Sequence, residues 1–131
     1  MWCEFLQRNK FLSSLYAGEV PKLLNVRMAE IKLSDDGRKF TVFFNMPRFA
    51  DIPPSKWISL GYNTVFVELA FVDITEIMIK SSGGKYRGNI EIQKNEDGKF
   101  EVCISGTVEI NLTADFGIVK EVTGYISETP E

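Results

Sequence analysis

The feature that most constrains this chain is a long stretch near its C-terminal end in which apolar and polar residues alternate. Over residues 99–112 the large apolar side chains occupy only even positions: Phe100, Val102, Ile104, Val108, Ile110 and Leu112. A period of two is typical of a β-strand with one buried face. At about 3.3 Å per residue one strand of this length would span roughly 40 Å, so we expect it to coil strongly or to switch sheets.

Most of the remaining chain also has strand character, after one helical pattern at the start. Large apolar residues recur at spacings of three and four over residues 2–16, which predicts a helix. The expected architecture is an α+β fold, mostly β, in a single domain over residues 1–131. The N-terminal helix is followed by about six antiparallel strands in a meander, which form a strongly curved sheet or a sandwich. The predicted strands are residues 23–33, 38–46, 64–80, 86–94, 99–112 and 116–126.

The first two strands specify their own pairing. Asp36-Gly37 is a strong hairpin signal between two apolar runs. It places Leu33 opposite Phe40 and Ile31 opposite Val42, on one face of the hairpin. The parity of the apolar residues changes around Ala29, which predicts a β-bulge there.

Composition excludes several kinds of chemistry. The chain has no histidine, the residue used most often for general acid–base catalysis and a common metal ligand. Its carboxylate pairs Asp35–Asp36 and Glu96–Asp97 fall in predicted tight turns, where Asp is favoured for local hydrogen bonds. We therefore expect no enzyme activity, no catalytic residue and no metal site.

The charge and the termini limit the partners and the compartment. A formal net charge of −3 argues against a nucleic-acid binder or an anionic-membrane binder. The N-terminus has neither a basic n-region nor an apolar h-region, and no apolar run approaches the ~20 residues of a membrane span. Cys3 and Cys103 match neither a disulfide framework nor a zinc site, although one bridge between them is an alternative. Free thiols in a reducing cytoplasm are the favoured interpretation.

Charge is distributed unevenly along the chain. Residues 1–66 hold nine Lys or Arg and six Asp or Glu, a net charge of +3, whereas residues 67–131 hold six and twelve, a net charge of −6. Four glutamates lie in C-terminal strands, on or near the polar face: Glu91, Glu101, Glu109 and Glu121. These residues are either ordinary polar residues of a solvent-facing sheet or an electronegative patch that docks a basic partner protein.

A long loop over residues 47–62 contains Trp57, three residues after Pro53-Pro54. A loop of this length in a small domain is usually functional or packed on its own side chains. Trp57 either anchors the loop on the core or is an exposed contact for a partner.

A series of motifs in a fixed order resembles a bacterial protein family. The order is Leu15-Tyr16, Val20-Pro21, the Asp36-Gly37 hairpin, the segment Ile52-Pro53-Pro54-Ser55-Lys56-Trp57, then Gly61-Tyr62-Asn63 and an apolar strand from Val65 to Ile79. Over about residues 5–112 the chain is similar to immunity protein 50, one of the immunity families of polymorphic toxin systems. The resemblance implies a cytoplasmic antidote that binds a cognate toxin stoichiometrically, without catalysis or a cofactor. Many such toxins are nucleases with basic surfaces. From charge alone, and not from the resemblance, we expect the glutamates named above to contact such a surface, and Trp57 is a further candidate contact.

Two other functions remain open from the sequence. Surplus aromatic residues, including Phe43, Phe66 and Phe71, could line the pocket of a small-molecule or lipid-binding β-domain. A structural subunit of a larger assembly would instead expose a long edge strand or a large apolar patch.

Overall fold

A computed structural model describes residues 1–129 of the chain. Within that range, six antiparallel strands form one sheet that closes into a barrel, accompanied by two short helices. The helices are α1 (Lys10–Ser14) and α2 (Ser55–Ser59). The strands are β1 (Val26–Ser34), β2 (Lys39–Asn45), β3 (Thr64–Ser81), β4 (Arg87–Lys94), β5 (Phe100–Gly106) and β6 (Val108–Tyr125).

The strand order around the barrel is β1-β2-β3-β6-β5-β4, and β4 pairs back onto β1. The mostly β, antiparallel and curved character predicted from the sequence is confirmed. The simple meander is wrong at one point, because β3 pairs with β6 and not with the next strand along the chain. These two strands have 18 residues each and pair from Thr64–Tyr125 to Ser81–Val108. That long pairing joins two three-stranded meanders, β1-β2-β3 and β4-β5-β6, into one closed sheet. The sandwich that the sequence also allowed is not the arrangement observed.

The predicted strand 99–112 is divided between two strands, and the predicted strand 116–126 is the continuation of the second. The chain reverses at Thr107, so the even residues on either side still face inward and the alternation runs through the turn unbroken. The Thr107 hydroxyl accepts a hydrogen bond from the N–H of Arg87 (2.9 Å) and donates one to the carbonyl of Lys85 (2.9 Å). A Cβ on Gly106 would lie only 2.1 Å from the Arg87 carbonyl oxygen, so this corner requires glycine.

The predicted helix 2–16 is wrong over most of its length, since only Lys10–Ser14 is helical. Arg8 has φ of +61°, a conformation that interrupts a right-handed helix. Before it, Gln7 forms a parallel bridge with β6: its N–H donates to Gly117 and its carbonyl accepts from Val119. Leu6 and Leu12 are both buried, so the apolar spacing reflects contact with the barrel and not a continuous helix.

The first hairpin has the predicted register. Leu33 pairs with Phe40 and Ile31 with Val42, and the register shifts between Met28 and Glu30, where the bulge was predicted. Asp36 and Gly37 are the central residues of the turn, as predicted: the Arg38 N–H donates to the Asp35 carbonyl across them (3.1 Å), and their φ angles are +55° and +84°.

Side chains fill the interior of the barrel. The largest fully buried ones include Phe40, Phe44, Phe71, Leu69 and Ile104. A barrel of about eight strands or fewer is narrow enough for side chains alone to fill its interior. The alternation recognised in the sequence therefore separates a packed core from an outer surface, and the four candidate glutamates lie on that surface.

Candidate partner-binding surface

Two of the sequence-predicted glutamates lie in a regular array on the outside of four neighbouring strands. Cross-strand pairing aligns the side chains of β4, β5, β6 and β3 in two adjacent rows. We call these eight residues the acidic grid: Glu91, Cys103, Asn111 and Met78 in one row, and Gln93, Glu101, Thr113 and Glu76 in the next.

The grid faces outward because the residues between its members face the core. Ile90 and Ile92 on β4, and Val102 and Ile104 on β5, are each at most 8% exposed. Side chains directly opposite one another on antiparallel strands have Cβ atoms about 4.5–5.5 Å apart. The grid is therefore a continuous surface of side chains, and it lines a shallow groove of about 440 Å³.

The charge of the grid is entirely negative. It contains Glu76, Glu91 and Glu101 and no lysine or arginine, and all three glutamates are exposed. None of them belongs to an ion pair within residues 1–129. Their charge is therefore available to a basic partner approaching from solvent.

Glu109 lies one row beyond the grid and has a different electrostatic environment. It pairs across the sheet with Lys80 on β3. Opposite charges at directly facing positions attract each other. Glu109 is exposed as predicted, but its charge is partly offset by its neighbour.

Glu121 lies outside the grid altogether. It is eight residues beyond Thr113 on β6, about 26 Å along an extended strand. There it faces Glu68 across the β3–β6 pairing, and Glu68 in turn faces Phe43. Of the four predicted glutamates, Glu91 and Glu101 therefore lie next to each other, whereas Glu109 and Glu121 lie apart from them.

Glu76 is the acidic grid residue that the sequence analysis did not place with Glu91 and Glu101. It lies on the second half of β3, where the register shifts between Ile74 and Glu76. Asp73, just before this shift, has φ of +58°. Across the two irregularities Glu76 keeps the even parity of the outward-facing Glu68, whereas the buried Val65, Val67, Leu69 and Phe71 are odd. The even spacing from Glu68 was therefore the available signal.

Trp57 is buried, with 9% of its surface exposed, and it anchors the 47–62 loop on the core. Its ring packs against Phe11 (centroids 5.9 Å apart, interplanar angle 87°), Phe49 (6.3 Å) and Tyr62 (6.1 Å). A Cβ on Gly124 would come within 2.9 Å of the indole. The alternative in which an exposed Trp57 ring contacts a partner is therefore not supported.

Polar contacts tie the same loop to the N-terminal segment. The Tyr16 hydroxyl donates to the Arg48 carbonyl (2.9 Å), and the Arg48 guanidinium lies 5.0 Å from the Tyr16 ring centroid. Asp51 pairs with Arg48 and accepts a hydrogen bond from the N–H of Ala17 (3.0 Å). The hydrogen bond from Arg48 lowers the pKa of Asp51, with a smaller contribution from Ala17. Burial raises the pKa of the Tyr16 hydroxyl.

The aromatic residues considered for a ligand pocket do not converge. Phe71 is fully buried in the packed core, whereas Phe43 and Phe66 stack on each other on the outside of the barrel. Three side chains on opposite faces of one sheet cannot line a common cavity. The small-molecule or lipid-binding alternative loses the pocket on which it rested.

Both cysteines are free thiols, Cys3 buried and Cys103 exposed in the grid. Burial raises the pKa of the Cys3 thiol. Residues 1–129 contain no cluster of three or more His, Cys, Asp or Glu side chains that could hold a metal ion. Over the same range, no helix has the length and apolar character needed to cross a membrane.

The fold and this surface define a small antiparallel β-barrel protein with a filled interior and an acidic outer face. The chain belongs to the immunity protein 50 family, whose model matches residues 8–125. Comparison with curated proteins finds no match. Among solved structures, the chain is similar to an uncharacterized protein from Neisseria gonorrhoeae. The two are 17% identical with a TM-score of 0.48, over 75% of this chain and 92% of that chain.

Proposed function

We propose that this protein is an immunity protein that binds a cognate bacterial toxin domain stoichiometrically and neutralises it in the cytoplasm. The observation that carries the proposal is membership of the immunity protein 50 family over nearly the whole chain. Binding a partner is also a function that needs no catalytic machinery, in keeping with a chain that has no histidine.

The acidic grid is the surface we propose for the toxin. Its three glutamates lie within two adjacent rows of side chains and form no ion pair with any residue of the described range 1–129. An uncompensated negative patch accelerates encounter with a basic protein and orients it during approach. A nuclease fits this description, because the surface that binds nucleic-acid phosphates is itself basic. Glutamates of the grid would occupy that surface in place of the phosphates.

The direct test is co-expression in bacteria with the toxin domain encoded beside the gene for this protein. We expect the protein to restore growth and to co-purify with the toxin at a fixed stoichiometry. A toxin that stays lethal while both proteins are soluble, with no complex on size-exclusion chromatography, would contradict the proposal. A catalytically inactive toxin, produced alone and with this protein, separates toxicity from poor folding of either partner.

A further inference from the structure

A second group of acidic residues lies on the outside of β2, β3 and β6, and here the acids adjoin aromatic rings. Cross-strand pairing places Phe43, Glu68 and Glu121 in one row, and Phe66 and Thr123 in the next. These five residues line a small surface pocket of about 240 Å³, which we call the aromatic–acidic pocket. It is separate from the acidic grid, with which it shares no residue.

The aromatic rings of the pocket are held in place. Phe43 and Phe66 stack with centroids 6.3 Å apart and an interplanar angle of 18°. Tyr125 packs edge-on against Phe66 at 5.9 Å, and its hydroxyl donates to the Asn45 side-chain oxygen (2.9 Å). Ring faces that are fixed before binding cost little conformational entropy when a ligand stacks on them.

The two carboxylates of the pocket oppose each other. Glu68 and Glu121 face one another directly across the β3–β6 pairing, and neither forms an ion pair within the part of the chain that the structure describes. Like charges at directly facing positions destabilise a sheet. A cation bound between them would remove that repulsion.

One cation of the chain already lies over a ring of the pocket. The ammonium of Lys32, on β1, lies 5.5 Å from the centroid of the Phe43 ring. This distance is within the range of a cation–π interaction. Lys32 covers one ring of the pair and forms no ion pair with Glu68 or Glu121.

We infer that the aromatic–acidic pocket binds an arginine side chain of a partner protein. A guanidinium is planar, so it can stack on a phenylalanine face while its N–H groups donate to two carboxylates at the edge. A lysine ammonium is a hydrated point charge and gains less from the rings. The inference rests on the proposed function only for the source of the arginine, which we assign to the toxin.

The pocket can be tested without any toxin by titrating the ¹⁵N-labelled full chain with N-acetyl-arginine methylamide. We expect chemical-shift changes centred on residues 43, 66, 68 and 121, with smaller changes for the lysine analogue and none for the uncharged citrulline analogue. The double variant Glu68→Gln/Glu121→Gln should weaken binding by about tenfold. Lys32→Met should strengthen binding, because it removes a competing cation.

Two controls make the titration decisive. Glu96→Gln removes an exposed acid from the β4–β5 turn and should leave the affinity unchanged. Phe66→Leu keeps an apolar side chain but removes the ring face, and should weaken binding in a variant whose spectrum shows that it is folded. Equal shifts with the citrulline analogue, or an affinity unaffected by the double variant, would overturn the inference.

The same variants separate this inference from the proposed function. If the wild-type protein neutralises the toxin but the double variant binds toxin as tightly as wild type, the toxin is not the source of the arginine, and that assignment is overturned. If the arginine probe binds the pocket but the wild-type protein forms no complex with the toxin, the pocket stands and the proposed function fails.

Discussion

The packed 47–62 loop and the acidic grid are built from opposite kinds of contact. The loop is joined to the N-terminal segment by aromatic rings around the buried Trp57 and by hydrogen bonds. In the grid, by contrast, Glu76, Glu91 and Glu101 are exposed and belong to no ion pair within residues 1–129. The difference indicates that the first region stabilises the fold while the second is free to bind.

Removing the buried indole of Trp57 is the strongest test of this difference, and it should have the largest effect. We expect Trp57→Ala to lower the free energy of unfolding by about 3–5 kcal/mol, because it leaves a cavity among Phe11, Phe49, Tyr62 and Gly124. Chemical denaturation measures the change. Ile58→Ala is a matched control on the same helix, since Ile58 is 65% exposed and should change stability by at most about 0.5 kcal/mol. Equal effects of the two substitutions would show that Trp57 is not an anchor.

Substitutions in the acidic grid should change the rate of toxin binding and leave the stability of the fold almost unchanged. We expect Glu76→Gln/Glu91→Gln/Glu101→Gln to slow association with the cognate toxin by about 10-fold or more at low salt, and to reduce the salt dependence of the association rate. The free energy of unfolding should stay within about 0.5 kcal/mol of wild type for each substitution. Stopped-flow or surface-plasmon measurements over a range of ionic strength give the rates.

Two single variants sharpen the result for the grid. Glu96→Gln removes the same charge outside the grid and should have a smaller effect on the association rate. Glu109→Gln should fall between this control and Glu101→Gln, because Lys80 offsets the charge of Glu109. An unchanged association rate in the triple variant would exclude the grid as the docking surface.

The smallest expected effect concerns the polar contacts between the 47–62 loop and the N-terminal segment. Asp51 has a lowered pKa in the folded chain, so its ionised form stabilises the fold above the ordinary carboxyl pKa of about 3.9. That contribution is lost as the pH falls through the folded-state value. Asp51→Asn should therefore lower Tm at pH 7 and match wild type in stronger acid. Asp97→Asn, in an exposed turn, is the control, and a pH-independent difference at Asp51 would contradict the assignment.

Local patterns predicted the parts of the fold that depend on neighbouring residues. The register of the first hairpin and the bulge near Ala29 were predicted correctly because alternation and turn chemistry act over a few residues. The helix 2–16 was not, since spacings of three and four also occur where an irregular segment buries side chains against a barrel. Arg8, with its positive φ, and the pairing of Gln7 with β6 are decided by contact with distant strands.

The candidate site was also predicted only in part from local patterns. Alternation alone placed Glu91, Glu101 and Glu109 on a solvent-facing side, and all three are exposed. Only the pairing of β3 with β6 decided that Glu76 joins the first two and that Glu121 faces Glu68 elsewhere. Alternation is a property of each strand and is written in the sequence, because a side chain points to one face or the other of its own backbone. Which strands become neighbours depends on hydrogen bonds between residues far apart in the chain, and that choice determined which charges lie together.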